Sequence, residues 1–270
     1  MTTPTLDRPE PAPIDPRLRA RRISVRRSEA RKRLHRLVAI GAVVGLLVTS
    51  FLLTRSPLLD VDRIEVIGTE HLTADVVAAA TGIRRHGPMT DVNLSAARGA
   101  VLALPWVESV SVQREWPATV RVSVVERTAV AVVSAGQTDL ADESWALVDR
   151  GGRVLEVLPA VPPDVVLLEG MSASSTPGSL LDPTADDLLA VAAALTPQLA
   201  AHVASVTLTE YGVELRLRDH GAVRIGSADD LSAKLLAAAT VLGQVELRGL
   251  CVVDVRVPAA PSLTRTGSCL

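Results

Sequence analysis

The longest apolar stretch of the chain runs from Leu37 to Thr54, LVAIGAVVGLLVTSFLLT, with no charged residue and no polar face. Its 18 residues, at about 1.5 Å rise each, make about 27 Å of helix, close to the thickness of a bilayer core. A helix packed on the core of a small domain keeps a polar side, whereas one apolar all round at this length suits a bilayer, so the pattern predicts a membrane helix over 37–54. Beyond it the periodicity changes. Arg63-Ile64-Glu65-Val66-Ile67 alternates like a half-buried strand, and Gly68 ends it. Thr73 is placed to cap a helix with Asp75 in its first turn; Leu72, Val76, Val77 and Ala80 share one face, and Gly82 stops it. A second helix is predicted near Leu94–Leu104, with Leu94, Ala97, Val101 and Leu104 on one side and Pro105 as its breaker. Two strands come next, carrying Val110 and Val112, then Val120, Val122 and Val124, joined by a tight turn at Glu115–Ala118. The order β-α-α-β-β suits a three-stranded sheet covered on one side by two helices.

The remainder reads as a strand-rich unit. Ala129 to Val133 continues the preceding strand. Trp145–Val148 and Val154–Val157 flank Asp149-Arg150-Gly151-Gly152, a hairpin signal. Val165–Leu168 is a short strand, and the Ser-, Gly- and Pro-rich stretch from Glu169 to Pro183 is a loop. A helix is predicted over Ala185–Leu195, then a meander of Val203–Thr209, Val213–Arg218 and Ala222–Ile225. Ser227 caps a further helix with Asp229 and Asp230 in its first turn and Leu231, Leu235, Leu242 and Val245 on its buried side. Cys251–Val257 is the final strand. The fold class is α+β: one membrane helix, a β-α-α-β-β domain, and a mixed β-domain with two helices.

Charge adds a direction. The net charge of -2 hides an asymmetry: Arg17, Arg19, Arg21, Arg22, Arg26, Arg27, Arg31, Lys32, Arg33 and Arg36 precede the apolar stretch, while Arg55 and Arg63 are the nearby basic residues after it. The positive-inside rule puts the N-terminus in the cytoplasm, as a disordered basic tail over 1–36, and the rest outside. A cleaved signal peptide is the rival reading. The apolar stretch is longer than a signal core, and Thr54-Arg55-Ser56-Pro57 lacks the small-residue cleavage pattern. Aromatic residues are only 2% of the chain, too few for a base-stacking surface, so no nucleic-acid partner is expected. Of the two cysteines, Cys251 sits in an apolar run and reads as a small buried hydrophobe; a bridge to Cys269 remains open.

No catalytic set emerges. His71, His86, His202 and His220 lack metal-ligand spacing, and each lies near a turn or element end, so a solvated role is expected. There is no G-x-S-x-G elbow and no Gly-rich phosphate loop opening a helix. Asp229-Asp230 and Asp186-Asp187 are adjacent on helices and do not face each other. The expectation is no enzyme activity, no metal, no cofactor and no small-molecule substrate. Trp106 is expected in the core, and the ring of Trp116, in a turn, is expected to cover the end of the sheet.

Two segments carry a resemblance: VDRIEVIGTEHLTADVV, and LALPWVESVSVQREWPATVRVSVVERTAVAVV. Together with the single preceding anchor, they resemble a POTRA domain of the FtsQ/DivIB family of bacterial cell-division proteins. Trp145-Ala-Leu-Val-Asp, Arg224-Ile-Gly, Lys234-Leu and Val253-Asp-Val-Arg256 resemble the β-domain of the same family. The resemblance implies a POTRA domain over 59–127, a β-domain over 128–257 and a flexible tail over 258–270. It implies a non-enzymatic single-pass scaffold of the division septum, held in lipid by 37–54. The implied partners are extracytoplasmic segments of FtsB/DivIC-like and FtsL-like proteins and the septal cell-wall synthase complex. The end of the last strand and the residues just beyond it, Asp254, Val255, Arg256, Val257, Pro258 and Leu263, are the candidate partner-binding residues, by addition of a strand to a sheet edge. Some family members carry aromatic residues beyond this strand, where Pro258, Pro261 and Leu263 stand here. Glu126 and Arg127 mark the junction of the two domains, either holding their angle or as a surface pair. The alternative is a chaperone-like POTRA module in protein export or envelope assembly.

Overall fold

The structure, a computed structural model, describes residues 34–52, 55, 59–136, 144–245 and 249–265. The expected basic tail up to residue 33, the residues 54, 56 and 57 of the cleavage argument, and Cys269 lie outside the described residues. Helix α1 (Leu34–Leu52) has a mean hydropathy of 1.8 and none of it is buried against the rest of the protein. Among the described residues it is the helix long and apolar enough to cross a membrane.

The next unit comprises β1 (Arg63–Ile67), α2 (Ala74–Ala80), α3 (Leu94–Leu102), β2 (Val107–Glu115) and β3 (Thr119–Glu126). The side chains of Thr73 and Asn93 accept the amides of Val76 and Ala96, satisfying donors that a helix start leaves free. The sheet order is β1-β3-β2, with β1 parallel and β2 antiparallel to the central strand. Val120, Val122 and Val124 alternate inward from β3 and meet Val77 of α2 and Val101 of α3 in one buried cluster. Burying each such side chain contributes about 1.5–3 kcal/mol, and this is what holds two short helices that would be marginal alone.

The second unit contains β4 (Ala129–Ala135), β5 (Trp145–Asp149), β6 (Val154–Leu158), β7 (Val166–Ala173), α4 (Asp186–Ala194), the four-residue α5 (Pro197–Ala200), β8 (Val203–Thr209), β9 (Gly212–Leu217), β10 (Ala222–Gly226), α6 (Leu231–Gln244), β11 (Val252–Asp254) and β12 (Ser262–Thr264). The strands form one sheet in the order β12-β11-β10-β9-β8-β7-β4-β5-β6. Leu188, Leu189 and Val191 of α4 and Leu235, Ala238 and Leu242 of α6 pack on one face, against Val133, Val206, Leu215 and Val223. On the other face Val132, Leu147 and Leu155 gather around Trp106. The first unit therefore covers the β4–β5–β6 end of that face, and Trp106 is core, as expected.

Four features depart from the sequence expectations. β7 runs on to Ala173 where a loop was expected from Glu169. Gly170, at φ +81°, takes up the bulge, and the strand resumes against β4 with Ser134 opposite Ser172. Helix α6 starts later than Ser227: Asp230 is the N-cap, in the left-handed region at φ 53°. Lys234, 4% exposed, folds back to the Ser227 carbonyl at 3.0 Å and ties down that turn. The final strand stops at Asp254, and a further strand, β12, lies inside the segment expected as a flexible tail. Cys251 is disulfide-bonded and not simply an apolar filler.

Candidate functional site

β11 lies between β10, to which it is parallel, and β12, to which it is antiparallel, with Val253 opposite Leu263 and Asp254 opposite Ser262. β12 is the last strand of the sheet, and its outer side has no neighbour among the described residues. Ser262, Leu263 and Thr264 are all exposed. The edge of the sheet is thus β12 and not the Asp254–Val257 segment. The reason lies in Asp254: its Oδ1 accepts the Arg256 amide at 3.0 Å, bending the chain out of the extended form. The turn continues through Pro258, and the Ala260 amide donates to the Val257 carbonyl at 3.0 Å.

The predicted residues consequently divide. Val255 is fully buried and packs in the main core. Val257 is 62% exposed at the turn and Leu263 38% exposed on the edge strand. Asp254 and Arg256 form a bidentate pair, with Nη2 to Oδ2 at 2.7 Å and Nε to Oδ1 at 3.1 Å. The Arg256 hydrogen bonds hold the Asp254 carboxyl below its ordinary value despite partial burial, and the pairing pushes Arg256 up. The Arg224 guanidinium sits 4.1 Å from the Tyr211 ring centroid and reaches Glu214 at 3.3 Å, while Arg256 approaches the same ring at 5.9 Å. The sequence marks Arg224 only within the Arg224-Ile-Gly segment and gives Tyr211 and Glu214 no part in a site. All three come from β9, β10 and their connections, and only the strand order brings them beside the last strands.

Glu126 and Arg127 occupy the passage from β3 to β4. Glu126 accepts the amides of His71 and Leu72, each at 2.9 Å, and meets the His71 ring at 3.0 Å. Burial pushes its carboxyl up, but these hydrogen bonds outweigh that and leave it below its ordinary value. His71 is not a simple solvated residue: its ring stacks on Trp106 at 4.1 Å. Arg127 donates to the Val107 carbonyl at 3.1 Å and, on its other side, to the buried Asp149 carboxylate at 2.7 Å. Asp149 in turn accepts the amides of Gly151 and Arg153 at 2.9 and 2.8 Å, closing the β5–β6 hairpin.

This architecture meets its relatives in sequence comparisons. A family model described as "POTRA domain, FtsQ-type" matches residues 59–127, and one described as "Cell division protein FtsQ/DivIB, C-terminal" matches residues 139–256. The chain belongs to the FtsQ/DivIB family. Among FtsQ relatives, the Cell division protein FtsQ of Streptomyces collinus is 29% identical over 241 residues, covering 86% of this chain and 88% of that protein. That of Mycobacterium leprae is 29% identical over 284 residues, covering 89% and 80%. The Corynebacterium glutamicum protein is 29% identical over 210 residues, covering 76% and 85%. In this FtsQ/DivIB chain, no group of three or more His, Cys, Asp or Glu suited to a metal ion occurs among the described residues.

Proposed function

We propose that the chain is a non-enzymatic scaffold of the division septum. α1 anchors it in the plasma membrane with the N-terminus cytoplasmic, and its extracytoplasmic domains bind segments of FtsB/DivIC-like and FtsL-like proteins, linking them to septal cell-wall synthesis. The observation that carries this reading is the bare edge of β12. An extended segment laid along it gains main-chain hydrogen bonds, while Leu263 and Val257 give an apolar contact beside the Asp254–Arg256 pair. Glu126 and Arg127 hold the angle between the POTRA domain and the β-domain that presents that edge.

The test is binding of purified extracytoplasmic segments of those coiled-coil proteins to the full chain in lipid nanodiscs. A charge on an edge strand blocks strand addition. Leu263→Asp is expected to weaken binding about tenfold, which corresponds to about 1.4 kcal/mol. Unchanged binding by a folded Leu263→Asp chain sinks the edge assignment. No binding by the unmodified chain sinks these partners.

A further inference from the structure

The end of the POTRA domain that carries the start of β1 bears a set of side chains that the scaffold reading leaves unused. The β2–β3 turn, Glu115 to Ala118, lies beside the start of β1: the Asp62 and Arg63 amides both donate to the Ala118 carbonyl, at 2.9 and 3.2 Å. The loop after α2 lies on the same residues. The Val61 amide donates to the Gly87 carbonyl at 2.9 Å, and the His86 amide donates to the Val61 carbonyl at 2.9 Å. Arg114 fastens that loop to β2, through the carbonyls of Met89 at 3.0 Å and Val92 at 2.5 Å. Trp116, at the tip of the turn, is 57% exposed and does not cover the sheet end. Arg84, Arg85 and His86 line the outside of the loop, and all three are exposed.

This end is held close to the bilayer in two ways. Asp60 comes eight residues after the last residue of α1, Leu52, and eight residues span at most about 28 Å when fully extended. Arg55 also bridges the two parts: its guanidinium lies 5.6 Å from the Phe51 ring of α1 and 3.6 Å from Asp91 of the loop. Two of the acidic neighbours are engaged, Asp91 by Arg55 and Glu115 by Arg121 at 2.5 Å; Asp60 is half-buried, and exposed Asp62 lies 3.8 Å from the His86 ring. Among the described residues nothing pairs with Arg84 or Arg85.

We propose that this end of the POTRA domain docks on the bilayer surface through Trp116, Arg84 and Arg85, with a preference for anionic phospholipid. Trp is at home at headgroup depth, where its body meets acyl chain and its N–H meets water and phosphate. Each basic residue near an anionic surface favours contact about fivefold. The anchor makes docking an intramolecular event, so weak contacts suffice to orient the domain. A protein partner at the same place would have to displace a surface that is always present. The inference rests on α1 being a membrane anchor.

The experiment uses the full chain in nanodiscs carrying a nitroxide near the lipid headgroup, read by tryptophan quenching. Trp106 is buried and Trp145 half-buried in β5, so the difference between the parent and Trp116→Phe isolates the contribution of Trp116. Quenching that disappears in Trp116→Phe is expected in discs containing phosphatidylglycerol. It should fall to about half or below in all-phosphatidylcholine discs, in Arg84→Gln/Arg85→Gln, and at about 1 M salt, where screening is nearly complete. Insertion of the chain without Trp116-dependent quenching overturns the docking and leaves this face to a protein partner. Equal quenching in both lipids overturns the anionic preference. A chain that fails to enter the discs overturns the anchor reading and, with it, this one.

Discussion

At its β6 end the large sheet is closed. The Gly178 amide donates to the Val154 carbonyl at 2.7 Å, the Val154 amide to the Ser179 carbonyl at 2.9 Å and the Leu181 amide to the Gly152 carbonyl at 2.8 Å. Leu155 is 2% exposed beneath Trp106, and Asp149 locks the hairpin to the POTRA domain. At the β12 end, three exposed residues face solvent with no neighbour outside them among the described residues. Unpaired edges invite uncontrolled pairing, and proteins blunt them by covering or shortening. This sheet uses both devices. The covered edge serves cohesion between domains. The short edge exposes only three residues, too little for indiscriminate sheet growth.

The contrast breaks most visibly at Asp149. Asp149→Ala leaves the half-buried Arg127 guanidinium without its partner and opens the hairpin; loss of one member of a buried pair costs about 3–5 kcal/mol, read as a fall in the denaturant midpoint. Leu155→Ala, under the same covered edge, is expected to cost about 3 kcal/mol through the cavity it leaves, measured in the same way. Acid gives a smaller effect. Glu126 has a lowered carboxyl pKa in the fold, so its stabilisation is complete above the unfolded value of roughly 4.3 and is lost as pH falls through the folded value. Glu126→Gln should therefore show a shallower stability loss than the parent between neutral pH and about pH 3. Least affected is the open edge: Leu263→Asp should move stability by less than about 0.5 kcal/mol while weakening partner binding. A large stability loss there would show that β12 is structural, not a landing site.

The same contrast separates what the sequence makes legible from what it hides. The alternation of Val120, Val122 and Val124 announces a half-buried strand because each faces one core. Trp106 is legible as core because Pro105 and the adjoining Val107 frame it as a strand entrance. β12 carries no such signal. Ser262-Leu263-Thr264 buries nothing, so selection for packing leaves no period in it. Val255 misleads for the opposite reason: it continues the inward alternation of Cys251 and Val253, but the Asp254 side chain ends the strand while the core goes on. The network of Tyr211, Arg224 and Arg256 depends on β10 lying parallel to β11 after the α6 crossover, a long-range fact that no local pattern states. Trp116 departs for a geometric reason, since its turn projects past the start of β1.

Only Arg127 and Thr128 separate β3 from β4, and Arg127 is tied by its amide to the Trp106 carbonyl at 2.8 Å and by its side chain to both domains. A hinge needs residues free to change their torsions, and here the obvious place for one is taken. A sideways pull on a partner seated at β12 would run across the hydrogen-bonded strands to β4 and straight on into β3. It would pass from one domain to the other as torque, a mechanical signal that a slack linker would have absorbed.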